Sequence, residues 1–281
     1  MLTGQELIRD VDVTVVSPGE CAFWWLGQLS YILKLGDKIL YLDPYLSPNP
    51  GRNIEPLLKP AEVRNASAIT GSHDHGDHID RRVWPALAAA SPRAKFIVPE
   101  LLKARLAADL GIPEDRFVGL DDGTSAEVAG IRITGVAAAH EFLDQDPKTG
   151  HFPYLGYVIE GNGIRAYHAG DTCKYEGLER RLKQWPYFDV AFLPINGRDG
   201  PRLRSKCIGN QTFQEAVDLA GAVGVRLAVP SHWDMFKNNS EDPAKFADYL
   251  AVKFPKVRCH VPKHGERVFW RAEGCPAGAA K

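Results

Sequence analysis

The sequence predicts an α/β domain whose polar chemistry gathers at the ends of its strands. Closely spaced apolar runs between residues 21 and 43 fit an antiparallel meander. From Ala66 onward, apolar strand-like runs alternate with helical segments, the rhythm of an α/β fold. Histidine or aspartate then follows apolar runs at His73, His140, Asp171 and His232, at the strand ends where such sheets build their sites.

Taken in order, residues 4–10 read as a short helix. Residues 21–27, 30–35 and 38–43 are strands joined by tight turns at Gly27-Gln28 and Gly36-Asp37. Pro44 stops the third strand because it has no N–H to donate. Asp43 then either accepts a hydrogen bond from a metal-binding histidine or shapes an Asp-Pro turn. The Pro- and Asn-rich loop 44–60, with Tyr45 and Leu46, borders the expected site. After a buried strand at 66–71, Asp80 is expected to cap a helix reaching Ala90, with Pro85 splitting it. Residues 95–98 form a strand, and the helix 101–110 stops at Gly111. Strands follow at 124–128 and 131–137. The polar loop 141–153, with Phe142 and His151, is expected at a mouth. A strand pair, 154–160 and 164–169, turns at Gly161-Asn162-Gly163. Helix 175–184 and strand 188–193 come next. Thr212 caps a helix to Val223, with Glu215 completing a capping box. Strand 226–232, helix 242–254 and closing strands at 257–262 and 267–271 complete one domain, 1–271. Residues 272–281 are expected to be a disordered tail.

The densest chemistry lies in Ser72-His73-Asp74-His75-Gly76-Asp77-His78, where three histidines and two aspartates fall within six residues. Side chains alternate in extended chain, so His73 and His75 point one way and Asp74 the other. Gly76 permits a sharp turn that brings Asp77 and His78 beside them. Packed for stability alone, such groups would cost a few kcal/mol each unless paired; a cation removes that cost. The arrangement suits two adjacent metal ions. His140 follows the small-residue run Ala137–Ala139 and is the natural third ligand of the first ion. Asp171, just past a strand and after Gly170, suits a bridge between the two. His232 is the remaining ligand of the second ion. His168, inside its strand, reads as structural, and Cys173 as a packed thiol.

Asn196 either donates to a substrate oxygen or builds a turn. Arg198, Arg202, Arg204 and Lys206 crowd one loop, which is either simply solvated or an anion pocket beside the metals. Trp233 and Phe236 are expected to line the pocket.

Bulk properties narrow the partners. The 281-residue chain carries a formal net charge of −1, which argues against a general polyanion binder, so nucleic acid is not expected. No apolar run is long enough to span a membrane. The N-terminus lacks the basic start and apolar core of a secretion signal, and the five cysteines are odd in number and widely spaced. A reducing cytoplasm is the expected compartment. A homo-oligomer is compatible with the sequence but not indicated by it.

His73-x-His75-x-Asp77-His78, then His140, then Gly170-Asp171-Thr172, then His232 resembles the metallo-β-lactamase superfamily over nearly the whole chain. Trp25-Leu-Gly-Gln-Leu-Ser-Tyr31, Leu42-Asp-Pro-Tyr-Leu-Ser47 and Leu193-Pro-Ile-Asn-Gly197 are similar to its L-ascorbate-6-phosphate lactonase-like branch. The resemblance implies a four-layer αβ/βα sandwich with a dinuclear site at one edge. It implies that His73, His75 and His140 bind one metal, that Asp77, His78 and His232 bind the other, and that Asp171 bridges them. It further implies two divalent ions, Mn2+ or Zn2+ with iron also admitted. A hydroxide between the ions would attack a carbonyl or phosphorus, with Asp77 orienting it or relaying its proton. The substrate implied is a small anionic lactone of the sugar-phosphate type. A phosphodiesterase acting on a nucleotide, nucleic acid end or lipid headgroup is the alternative.

Overall fold

A computed structural model describes residues 1–272, and two facing seven-stranded sheets organise them. The first half runs α1 (Gly4–Val13), β1 (Glu20–Gly27), β2 (Ser30–Leu35), β3 (Lys38–Leu42), β4 (Ala68–Thr70), α2 (Trp84–Ala90), β5 (Lys95–Pro99), α3 (Glu100–Leu110) and β6 (Phe117–Leu120). The second runs β7 (Ser125–Val128), β8 (Ile131–Ala137), β9 (Leu155–Gly161), β10 (Ile164–His168), α4 (Leu178–Leu182), β11 (Phe188–Pro194), α5 (Gly200–Arg204), α6 (Phe213–Ala222), β12 (Val225–Ser231), α7 (Pro243–Lys253), β13 (Arg258–Cys259) and β14 (Arg267–Arg271). One sheet has the order β14-β1-β2-β3-β4-β5-β6, the other β13-β12-β11-β10-β9-β8-β7.

The central strands of both sheets are covered on both faces, which is why they read as continuous apolar runs, whereas the edge strand β14 alternates. In β1, Phe23 and Trp25 enter the core between the sheets, where Tyr157, Phe192 and Val229 meet them. Ala22, Trp24 and Leu26 face the other way, against Leu7 and Val11 of α1, with Trp84 and Leu106 in the same outer layer. The second sheet buries Val158, Tyr167 and Ala191 against Val217, Phe246 and Leu250 of α6 and α7. The result is the expected αβ/βα sandwich. None of the helices among the described residues is long and apolar enough to cross a membrane.

Topology brings the chemistry together. Strands β3, β4 and β5 are parallel neighbours in one sheet, and β10, β11 and β12 in the other. Asp43 follows β3, His73–His78 follow β4, Asp171 follows β10 and His232 follows β12, so all leave C-terminal strand ends.

Several local expectations change. Asp80 does not cap α2 with its side chain. Its carboxylate accepts from Leu46 N (3.1 Å), Ser47 N (2.7 Å) and Ser47 Oγ (2.6 Å), pinning the loop after β3. Pro85 does not split α2 but occupies its first turn, where a missing N–H costs nothing. Helix 175–184 contracts to α4. Strand β6 and helix α5, the latter capped by Asp199, were not anticipated. Ala272 is buried and donates to Gly19 O at 2.8 Å, so the ordered chain extends through it. The rest of the expected tail, 273–281, lies outside the described residues.

Candidate metal centre

Gly71 opens the site. A Cβ there would lie 2.5 Å from Ile79 Cγ1 and 2.8 Å from Trp84, so only glycine lets the 72–79 loop fold back against α2. The loop then delivers its histidines in two sets. Ligand atoms of His73, His75 and His140 lie within 4.8 Å of one another, as do those of Asp77, His78 and His232. A third such group joins His73, His78 and Asp171, so the two sets adjoin.

Asp171 spans them. Its Oδ1 stands 3.3 Å from His78 Nε2 and 3.2 Å from His232 Nε2, while Oδ2 stands 3.6 Å from His140 Nε2. His73 Nε2, His78 Nε2 and Asp171 Oδ1 are buried and have no hydrogen-bond partner. Orphaned buried polar atoms are rare in folded proteins; here they converge, and nitrogen and carboxylate oxygen donors suit a divalent transition metal. The residues present therefore fit such ions.

The surroundings orient the imidazoles. Asp43, fully buried, sits 2.8 Å from His78 Nδ1 and accepts from Thr70 Oγ1 (3.0 Å), Ser72 N (3.1 Å) and Ser72 Oγ. That contact commits Nδ1–H of His78 to Asp43 and frees Nε2 to face the centre. The segment is a run of bends and turns, not the extended chain expected, yet Asp74 points away and pairs with Arg81 (2.9 Å) and Arg105. His168 Nε2 lies 2.8 Å from Leu29 O and plays a structural part.

Charge in the cluster is finely balanced. Burial and then the neighbouring His78 hold His73 well below the usual imidazole pKa. His75 is lowered by desolvation and by His140. Burial also works against charge on His78 and His232, but Asp171 and Asp77 outweigh it, raising His78 well above the ordinary value and His232 to about 10. Burial pushes Asp77, Asp171 and Asp43 upward, yet the imidazoles around them leave all three below the ordinary carboxylate value. Without a cation, the carboxylates and the imidazoles of His78 and His232 thus favour each other's charged forms, while His73 and His75 are pushed toward neutrality.

The expected substrate groups fare differently. A cavity of about 420 Å³ opens over His75, Asp77, His140 and His232, and Lys206 and Phe236 line it. The other cations of that loop do not face it. Arg198 makes a bidentate pair with Glu215 (2.8 and 3.0 Å), the capping-box glutamate of α6, and also donates to Asn210 O. Arg202 is tied to Asp199 and to Ser240 O. Arg204 is exposed at the end of α5 and does not line this cavity. Asn196 is buried, does not line this cavity, and donates from Nδ2 to Oδ1 of Asn239, a lining residue, at 2.7 Å. Trp233 turns from the cavity, packs on Trp25 with ring centroids 5.1 Å apart and donates to Pro230 O. His151 pairs with Asp121 at 2.7 Å, away from the histidine cluster.

Two participants escaped the sequence. Tyr154 stacks on His140 at 5.3 Å, and Gln28 donates from Nε2 to Asp77 Oδ2 at 2.9 Å. Gln28 reads locally as a turn residue, and only sheet packing carries it to the site.

A family profile described as "Beta-lactamase superfamily domain" matches residues 39–233. A UPF0173 metal-dependent hydrolase of Thermococcus kodakarensis is 30% identical over 237 residues, covering 82% of this chain and 92% of the relative. One from Saccharolobus solfataricus is 29% identical over 224 residues, covering 79% and 89%. Among solved structures, Igni18, described as a metallo hydrolase from Ignicoccus hospitalis, aligns with a TM-score of 0.70 at 19% identity, covering 90% of this chain and all of that one. A possible metal-dependent hydrolase from Veillonella parvula aligns at 0.67 with 14% identity, covering 91% and 99%. These structural likenesses concern the fold.

Proposed function

Because the chain belongs to the metallo-β-lactamase superfamily, we propose that it is a metal-dependent hydrolase working with two divalent ions, Mn2+ or Zn2+, with iron also compatible. His73, His75 and His140 would hold one ion, and Asp77, His78 and His232 the other. The position of Asp171, with one oxygen toward His78 and His232 and the other toward His140, carries this proposal. Ions bound there would supply Lewis-acid chemistry, lowering the pKa of a water toward about 7 and offsetting charge that develops on the substrate's oxygens.

The chain's own groups supply the rest. Asp77 keeps about 23% of its side chain accessible and lines the cavity, where it can orient an attacking water and take its proton. Asp43 fixes the ring of His78. Phe236 walls the substrate side. Lys206 is the cation available to a negatively charged substrate, since Arg198 and Arg202 are committed to Glu215 and Asp199.

The substrate proposed is a small anionic lactone, as in the lactonase-like branch. Phosphodiester cleavage is a second possibility, favoured by an adjoining cavity of about 440 Å³. That cavity shares Asp77 and Phe236 with the first and carries Arg82 on its wall, giving room for a substrate that extends to both sides.

Elemental analysis of wild type and His75→Ala, paired with assays on a lactone panel and on bis(p-nitrophenyl) phosphate, tests the proposal. About two metals per chain and hydrolysis are expected for wild type, with metal loss and no hydrolysis for a folded His75→Ala. Full activity and metal in the variant would refute the site. Within the panel, Lys206→Ala should raise KM for phosphorylated substrates about tenfold, the loss of one charge-assisted contact. Arg202→Ala should leave KM within about twofold. The reverse order would return the anion pocket to the arginines.

A further inference from the structure

Residue 28 holds more of the second metal set than any motif suggests. Its side chain is almost fully buried, at 1% exposure. Nε2 donates to Asp77 Oδ2 at 2.9 Å and lies 3.2 Å from His232 Nε2. Among the described residues it is the donor to the Asp77 carboxylate that is not itself a candidate ligand. Its backbone does further work. Gln28 O accepts from His232 N at 3.0 Å and from the Trp25 indole at 3.0 Å. One residue therefore fixes a side chain from the loop after β4 and the main chain just past β12.

Gln28 is itself held firmly. Its φ is 51°, a left-handed conformation that a non-glycine residue keeps only where its surroundings impose it. Asp234 imposes it. Oδ1 of that buried carboxylate accepts Gln28 N at 2.9 Å, and Oδ2 meets His264 Nε2 at 2.7 Å. The His264 ring stacks on Trp25 at 4.3 Å, closing the circuit. Gly27 lets the turn approach this closely: its φ is 101°, and a Cβ would stand 2.4 Å from Met235 Cε. His232, at φ 59°, is strained too, and Gln28 O is what its N–H reaches.

We infer that Gln28 is a positioning residue for the second ion, aligning Asp77 and His232 through one amide and one carbonyl, with Asp234 and His264 as its anchor. This rests on the two-ion proposal above. It predicts a selective defect. Loss of the Gln28 amide should weaken the ion held by Asp77, His78 and His232 and spare the one held by His73, His75 and His140. Losing a group that orients a metal ligand typically costs 10–100-fold in affinity.

Stepwise Co2+ titration of the metal-free protein, followed by its d–d spectrum and by competition with a chromophoric chelator, tests this on Gln28→Leu, which keeps the bulk and removes the donor. The first equivalent should bind as in wild type, the second about 10–100-fold more weakly with an altered spectrum, and the metal-free Tm should stay within a few degrees. Asp234→Ala, which keeps the amide but frees the backbone, should weaken the same equivalent by a smaller factor. Two equivalents binding both variants as in wild type would overturn the inference. So would equal loss of both equivalents together with a collapsed Tm, which would mean residue 28 serves only the fold. Wild-type protein taking up fewer than two equivalents would instead remove the two-ion proposal itself.

Discussion

Asp43 illustrates how a buried charge is made tolerable and useful at once. An isolated carboxylate at no exposure would be strongly disfavoured. Thr70, both donors of Ser72, and His78 surround this one. The sequence left its role open between a turn former and a partner of a ligand histidine, because Asp-Pro at a strand end fits both. The 2.8 Å contact to His78 Nδ1 makes Asp43 the partner of a histidine that is a candidate ligand. Asp43→Asn keeps the shape but offers one acceptor oxygen in place of two. It should lower metal affinity about 10–100-fold in a chelator competition assay. Unchanged affinity would show that His78 needs no such guide. Arg198 gives the converse lesson: a cation beside an expected site is claimed by another anion, here Glu215.

At the scale of elements, strand ends matter more than strand interiors. The turn after β10 must place Asp171 between two histidine sets, and Gly170 makes it possible. Its φ is 62°, and a Cβ would lie 2.5 Å from Leu155 O and 3.0 Å from Ser72 Cβ. Gly170→Ala should therefore destabilise the protein by about 1–3 kcal/mol, read as a shift of the urea midpoint at constant m. It should also reduce metal content, because the displaced turn carries Asp171 with it. Wild-type stability and metal content together would show that the turn relaxes freely. Most elements were legible because their signals are local: the capping box Thr212/Glu215, the left-handed stop at Gly111, and the Gly-Asn-Gly hairpin. β6 and α5 were not. β6 is four residues long and is held by its parallel pairing to β5, while α5 is one short turn capped by Asp199.

For the whole molecule, three apolar layers hold the sandwich, and the histidine cluster belongs to none of them. Metal removal should accordingly lower stability without erasing the fold. At free metal 100 times above Kd, one ion adds about 2.7 kcal/mol, which for a chain of this class is about 5–10 °C in Tm. EDTA treatment should lower Tm by that amount per ion and leave the far-UV circular dichroism at low temperature unchanged. Loss of the far-UV signal at low temperature would mean that the metals hold the sheets together.

The sequence by itself determined the opening meander, the strand–helix alternation and the metal-ligand candidates, while the αβ/βα layering followed only from the family resemblance that its motifs carry. Apolar periodicity records which faces are buried, and clustered His and Asp at strand ends are too costly to be incidental. Tertiary structure alone decided how the surrounding groups are used. Gln28 and Asp234, 206 positions apart in the chain, meet because β1 and β12 lie in facing sheets. Arg198, Arg202, Asn196 and Trp233 are drawn from the cavity by partners distant or unmarked in sequence. Hydrogen-bond donors and charges are satisfied by whatever lies nearest in space, and no local pattern encodes that distance.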